Sequence, residues 1–357
     1  MEKKKFRAGF IGAGGIAGPH AYSLSSMKFF YSDAPDAELY AVTSSTEKSR
    51  ETFAGRYGFS NAVDQEEFFS DEEINAVYIL GPNKVHYPHF KRSLEMPSVT
   101  HIYIEKPLCS LEAEERDIRK SAAENPGLRI QSGFQYLFSP SVREALILWN
   151  SGIFGKPLHF DIRYYHGDYL QKSYREKRQN RLTPAPDGGA MADLGSHAIS
   201  LAVAFLGNGI KVQSAISGGS ISDVDPRSDL YSTTILTDGR SGASGTLSAS
   251  RIASGTGDLL AFEFYCQNGS LKYSSHTPEF FEYFLETEGL WKKVPTGSRF
   301  GKISSFPSGH VPGGWLRAMI HAHYVFLGGD DKEAFIPGIE HALEVQRIIR
   351  EIALRFS

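Results

Sequence analysis

The sequence predicts an α/β domain built on a parallel sheet, followed by an α+β domain built on an open, mostly antiparallel sheet with flanking helices. Three observations predict this. From Phe6 to about Phe134, short apolar runs alternate with longer stretches of helical period, the order of repeated strand-helix units. Beyond Pro140 the runs acquire a period of two and are separated by glycine-rich turns. At 357 residues the chain exceeds the size at which one hydrophobic core usually stops growing, so two domains are expected, 1–135 and 136–357.

The predicted strands of the first domain are Ala8–Ile11, Leu39–Thr43, Ala76–Leu80, His101–Ile104 and Arg129–Gly133. Each runs into a loop rich in Gly, Pro, Ser or Asn. Ligands gather at the carboxyl ends of such strands. A helix over Ser141–Asn150 and the turn-like Ser151–Pro157 precede a strand pattern that begins at Leu158. Period-two runs recur at Thr233–Leu236, Gly245–Ser250, Leu260–Tyr265 and Phe280–Leu285. The final stretch from Gly338 to Phe356 sets Ile339, Ala342, Leu343, Val345, Ile349 and Ile352 near one helical face.

Composition narrows the partners. Lys and Arg number 38 against 41 acidic residues, so there is no overall field to collect nucleic acid or an anionic membrane, and a small neutral molecule is expected instead. The longest apolar stretch, Ala198–Leu206, is far shorter than the roughly 18–20 residues that span a bilayer. Met1–Lys5 is basic but leads straight into a strand pattern, unlike a signal peptide. Cys109 and Cys266 stand alone without a C-x-x-C spacing, which argues against a disulfide scaffold or a thiolate metal site and makes the cytoplasm the expected location.

Gly12-Ala13-Gly14-Gly15-Ile16-Ala17 reads G-x-G-x-x-A, directly after the first strand and ahead of a helical pattern through Tyr22 and Met27. Gly12 allows a tight turn, Gly14 lets a pyrophosphate approach the backbone, and Ala17 lets the helix pack closely on the sheet. An ordinary glycine-rich turn is the plain alternative, but the strand placement and the four further units favour dinucleotide binding. At the end of the second strand stands Ser44, where an acidic residue normally selects NAD. Lys48 and Arg50 follow and could attract a 2'-phosphate, although such residues are often solvated surface charges. NAD or NADP is therefore expected, tilted toward NADP.

His101-Ile102-Tyr103-Ile104-Glu105-Lys106-Pro107 places Lys106 at the carboxyl end of a strand, and the proline disfavours a helical continuation there. A lysine buried near a cofactor has a lowered pKa and can donate to a reacting hydroxyl; the bland reading is a surface lysine at a strand end. In Gly188–His197, Asp193 and His197 lie four apart on a helical pattern and share a face. An imidazole with a near-neutral pKa can take the proton of an alcohol as hydride leaves its carbon, with the aspartate orienting imidazole or substrate. A plain helix pair and a metal site are the alternatives. The other histidines show no zinc-type spacing, and His321 and His323 point to different sides of a helix, so no metal is expected.

Taken together, G-x-G-x-x-A, Asn83 and His86, Glu105-Lys106-Pro107 and the run Gly189–His197 resemble the Gfo/Idh/MocA family of oxidoreductases from about residue 6 to 356. The resemblance implies a Rossmann domain, an open antiparallel sheet whose exposed face commonly makes homodimers or homotetramers, and nicotinamide held between the domains. Lys106, Asp193 and His197 match the family's catalytic residues. Gly12, Gly14, Gly15, Ile16, Ala17 and Ser44 match the dinucleotide loop and ribose end, and Asn83, His86, Glu105 and Lys106 match positions around ribose and nicotinamide. The sequence departs at Ser44 and at Leu137, where the run Gly133–Pro140 lacks an arginine often found there. Gln135 in that run, with Tyr164, Tyr165, His166, Asp168 and Arg181 in the region where the family reads its substrate, supplies polar groups suited to a sugar or polyol. His310 could join them from a glycine-rich loop, and Trp315 could do so or pack in the core.

The expected activity is reversible hydride transfer between nicotinamide and a secondary alcohol of a sugar, inositol or related polyol. Two alternatives stand beside it: an NAD-dependent glycosidase using the same redox step, and a dinucleotide-binding regulator without chemistry.

Overall fold

The structure, a computed structural model, describes residues 5–184, 188–297, 300, 304, 306 and 313–356. The described chain forms two compact units. One comprises 1–139 with 298–343, the other 140–297 with 344–357. The chain thus returns to its first unit late, which a single cut at 135/136 leaves out.

The first unit holds β1 (Lys5–Ile11), β2 (Asp36–Thr43), β3 (Asn61–Ala62), β4 (Ala76–Ile79), β5 (His101–Ile104) and β6 (Arg129–Ser132). They form one parallel sheet in the order β3-β2-β1-β4-β5-β6. The order reverses between β1 and β4, the switch point at which open α/β sheets bind ligands. Five of the strands carry the predicted runs, two of them with added residues at the amino end. The two-residue β3 is too short to show a period.

Between the strands lie α1 (Ala17–Phe30), α2 (Glu47–Tyr57), α3 (Gln65–Ser70), α4 (His86–Leu94) and α5 (Glu112–Glu124). Local chemistry sets several ends. Thr46 accepts from the Ser49 amide to cap α2, Gly58 closes it at φ 79°, and Asp64 and Glu67 form a reciprocal capping box on α3.

The second unit opens with α6 (Pro140–Asn150), β7 (Pro157–Tyr165), α7 (Lys172–Glu176) and α8 (Ser196–Leu206). It continues through β8 (Ile210–Gly218), β9 (Tyr231–Asp238), β10 (Ser244–Ser250), β11 (Leu259–Cys266), β12 (Gly269–Ser274), β13 (Phe280–Leu285) and β14 (Leu290–Pro295). Its eight strands run in the order β14-β13-β12-β11-β7-β10-β9-β8, antiparallel throughout except for the parallel β7–β10 pair. One face is packed. Phe205 on α8 lies 4.9 Å from both Phe262 and Phe264, and Trp149 on α6 lies 5.0 Å from Phe264 and donates its Nε1–H to the Phe205 carbonyl.

The returning segment contributes α9 (Gly314–Phe326), which packs on α1; Tyr31 and Tyr324 stack at 3.8 Å between them. The last helix, α10 (Ile339–Ala353), spans the division between the units. Among the described residues, no helix is long and apolar enough to cross a membrane.

Candidate functional site

In the first unit, β1 ends at Ile11 and the chain turns at Gly12, whose φ of 123° favours glycine. A Cβ there would also come within 2.9 Å of the backbone of Leu80, just past the end of β4. The Gly12 amide donates to the Thr43 carbonyl, tying the loop to the end of β2. Added Cβ atoms at Gly14 and Gly15 would meet nothing within 4 Å, so the backbone lies open to an approaching group. Ile16 precedes α1 without a side-chain cap, and the first turn of α1 holds no acidic residue, which leaves its amides and positive dipole end for an anion. Ala17 is fully buried against the sheet. These features fit a dinucleotide pyrophosphate. A Gly12→Ala variant is expected to store about 1–3 kcal/mol of backbone strain and to weaken NADH and NADPH binding together by roughly 10- to 100-fold, read by nicotinamide fluorescence.

Ser44, half-buried at the end of β2, donates its hydroxyl to the Thr46 carbonyl at 3.1 Å. Lys48 is exposed on α2 and Arg50 half-buried. Asn83 opens a short 3-10 turn after β4. His86, buried at the start of α4, has Nδ1 2.8 Å from the Pro107 carbonyl and Nε2 2.8 Å from the Gly81 carbonyl. Its ring therefore ties together the chain leaving β4 and β5. Glu105 is also buried: Oε1 meets His20 Nε2 at 3.0 Å and Oε2 accepts the Lys106 amide at 3.2 Å. Lys106 stands half-buried at that strand end.

Gln135 is buried. In the amide orientation that satisfies both ends, it donates to the Gly133 carbonyl at 2.6 Å and accepts from Trp315 Nε1 at 2.5 Å. His310 lies outside the described residues.

In the second unit, Asp193 and His197 do not share one regular α-helix. Residues Met191–Gly195 form a π-helical turn that runs into α8. The start of this segment is held by Asp229, whose carboxylate accepts the Met191 amide at 2.9 Å and whose Cβ an added Cβ at Gly189 would approach to 2.5 Å. Gly195 lets the turn lie close to the Met191 side chain and to Ala249 of β10. Such π turns recur at functional sites because they re-aim a side chain within a helix.

The carboxylate of Asp193 accepts from Arg251 Nη2 at 3.0 Å and from Arg181 Nη1 at 3.3 Å. Arg181, expected to read substrate, is thus bound to the candidate acid while its side chain remains 55% exposed. Arg251, which the sequence reading missed, follows β10 and is almost wholly buried. It also donates to the Arg181 carbonyl at 2.9 Å and lies 4.8 Å over the Tyr169 ring. His197 is buried on α8 with its ring 5.8 Å from that of Tyr164 on β7. Tyr165 ends β7 beside Ser250, and His166 follows, accepting the Asp168 amide at Nδ1 and stacking on Tyr169 at 5.7 Å. The carboxyl ends of β7 and β10 therefore gather Tyr164, Tyr165, His166, Arg181, Asp193, His197 and Arg251.

Burial pushes His166 below the ordinary histidine range, against the pull of Asp168, Asp258 and Asp193. The unfolded chain, with an ordinary histidine pKa near 6.5, then binds the proton more readily than the folded one, so stability is lost as pH falls below that value. His166→Gln is expected to lessen the fall in Tm between pH 7 and about 5, measured by calorimetry at both values.

Among the described residues no three His, Cys, Asp or Glu side chains group so as to hold a metal ion. The thiols Cys109 and Cys266 are buried and unlinked, and burial pushes Cys266 up to about 12.

A parallel sheet with its open glycine loop, in one chain with a mixed sheet that carries an acid and an imidazole at its strand ends, defines a dinucleotide-dependent oxidoreductase class. The chain belongs to the Gfo/Idh/MocA family. Residues 6–134 match the model of its oxidoreductase family with NAD-binding Rossmann fold, and residues 142–272 match its C-terminal domain. A glucose-6-phosphate 3-dehydrogenase of Bacillus subtilis is 28% identical over 200 residues, 55% of this chain and 52% of that protein. A levoglucosan dehydrogenase of Pseudarthrobacter phenanthrenivorans is 25% identical over 301 residues, 76% and 74% of the two chains. The match thus spans about half the length of the first relative. An NAD binding oxidoreductase from Klebsiella pneumoniae superposes with a TM-score of 0.84 at 24% identity, covering 98% of this chain and 96% of that one, a likeness of fold.

Proposed function

We propose that the protein transfers hydride reversibly between a nicotinamide dinucleotide and a secondary alcohol of a sugar, inositol or related polyol. The observation that carries this reading is the gathering of Asp193 and His197 with polar side chains at the ends of β7 and β10, in a chain whose glycine loop is open for a dinucleotide. The names of the two relatives, dehydrogenases of glucose 6-phosphate and of levoglucosan, favour net redox turnover over a glycosidase or a regulator.

Gly12, Gly14, Gly15, Ile16 and Ala17 would hold the pyrophosphate, and Ser44 and Asn83 would contact the riboses. The bound nicotinamide supplies the hydride acceptor or donor. His197 takes the hydroxyl proton in oxidation and returns it in reduction, Lys106 stabilises developing negative charge on the substrate oxygen, and Asp193 orients His197 or the substrate. Tyr165 and His166 offer ring and hydrogen-bonding groups to the sugar, and Arg181, paired with Asp193 and partly exposed, offers a charged donor beside them. The absence of a carboxylate at Ser44, with Lys48 exposed nearby, favours NADP over NAD.

Ile216, Ile235, Phe284 and Trp291 share the open face of the second sheet by strand register, which supports a homodimer or homotetramer. Two unlinked thiols support a cytoplasmic location. The test is titration of the purified protein with NADH and NADPH by fluorescence, followed by a turnover screen over inositols, aldoses and sugar acids with the tighter cofactor. Binding of NADPH with turnover of a polyol is expected. Failure to bind either cofactor, or binding without any turnover, overturns the reading.

A further inference from the structure

His20 on α1 and His323 on α9 are wholly buried, and the mechanism above uses neither. Their rings meet at 5.0 Å, with His20 Nδ1 2.9 Å from His323 Nε2. The other nitrogen of His20, Nε2, lies 3.0 Å from Glu105 Oε1, and Glu105 Oε2 accepts the Lys106 amide. The rings of Tyr103, at 5.1 Å, and Tyr78, at 6.2 Å, pack around His20. An added Cβ at Gly133 would come within 2.6 Å of Glu105 Oε1, so glycine leaves the room in which the carboxylate lies.

Proton placement along this chain follows from donor rules. A carboxylate only accepts, so His20 Nε2 carries the hydrogen; in a neutral ring His20 Nδ1 then accepts, and His323 Nε2 must donate to it. The bonds run in one direction, from His323 to His20 to Glu105. Burial, with His20 beside it, holds the pKa of His323 well below the histidine range, which keeps that ring neutral. A carboxylate that loses the donor on one oxygen is freer to change rotamer, which loosens the bond its other oxygen makes to the Lys106 amide.

We propose that His20 and His323 are positioning residues that hold the Glu105 carboxylate in one rotamer and, through its bond to the Lys106 amide, fix the strand end from which Lys106 acts. The inference rests on the reading of Lys106 as the catalytic lysine. A merely structural role for the histidines would affect stability without changing the environment of Lys106.

The experiment has two readouts that need no substrate. In protein labelled with 15N-histidine, assigned with His20→Gln and His323→Gln, both rings are expected at pH 7 as the neutral Nε2–H form. An Nδ1–H form or an imidazolium at either residue overturns the chain. Acetylation of Lys106 by acetic anhydride, read by peptide mass spectrometry against exposed Lys211, is expected to change by about threefold or more in His20→Leu and in the isosteric Glu105→Gln, the effect of about half a pKa unit at the amine. His20→Gln, which keeps a donor toward Glu105, is expected to restore the wild-type rate. An unchanged Lys106 rate in folded Glu105→Gln overturns the proposal even where His20→Leu does not fold. With the polyol found in the screen, His20→Leu is expected to lower kcat by about 10-fold or more, with cofactor Kd unchanged. Full turnover in Lys106→Ala sinks the catalytic reading instead, and the acetylation result still decides the chain.

Discussion

His197→Asn is expected to lower kcat with the preferred polyol by about 100- to 10,000-fold, and Lys106→Ala by a comparable factor, while for His197→Asn the Kd for the reduced cofactor stays within about threefold of wild type. Asparagine fills much of the histidine volume and keeps an amide near the position of one ring nitrogen, so a buried site beside Tyr164 can retain its packing. What it lacks is a group that gains and loses a proton near neutral pH. Oxidation of an alcohol needs that proton removed as the hydride departs, so the loss falls on the transition state, and kcat and kcat/KM should fall together. For Lys106 the lost interaction is with charge developing on oxygen, which also exists only in the transition state. Steady-state kinetics with a fluorescence titration of each variant separates the terms. Retention of most activity in either variant would remove that residue from the mechanism.

The first sheet was legible because a strand-helix alternation persists over five units, and a parallel sheet leaves few other solutions once G-x-G-x-x-A is placed after its first strand. Asp193 and His197 stood out in the sequence as an acid and an imidazole four positions apart in one helical run. The π turn itself was not, since five residues are too few to separate its period from that of an α-helix. Arg251 was invisible for a different reason: a single arginine after a strand has no periodicity, and its importance comes from Asp193 and Tyr169, distant in sequence. Gln135 shows the converse. It is polar and close to the motifs, but its amide is used by Gly133 and Trp315, a partner 180 positions away in the sequence. His20 and His323 likewise reach Glu105 only because α1 and α9 pack together, a pairing that no period of the chain encodes.

Arg251→Leu is expected to cost about 3 kcal/mol, toward the low end for breaking a buried ion pair because Asp193 keeps some contact with solvent. For a unit of this size that corresponds to a fall in Tm of roughly 6–12 °C. Arg251 makes three engagements at once: Asp193, the Arg181 carbonyl and the face of Tyr169. Its loss leaves Asp193 with Arg181, a longer contact from a side chain that is half-exposed and screened by water. The carboxylate thereby loses its most buried charged contact among those described, and the weakened compensation of its charge carries most of the cost. Pairing the change with Asp193→Asn separates the two roles of the acid. The double variant should regain part of the lost Tm, since the buried charge is gone, yet show no recovery of turnover, since the group that orients His197 or substrate is gone as well. Calorimetry on the two single variants and the double one measures the coupling. Equal Tm values for Arg251→Leu and the wild type would mean that Asp193 is held by other groups. Recovery of turnover in the double variant would mean that its charge serves the fold and not the reaction.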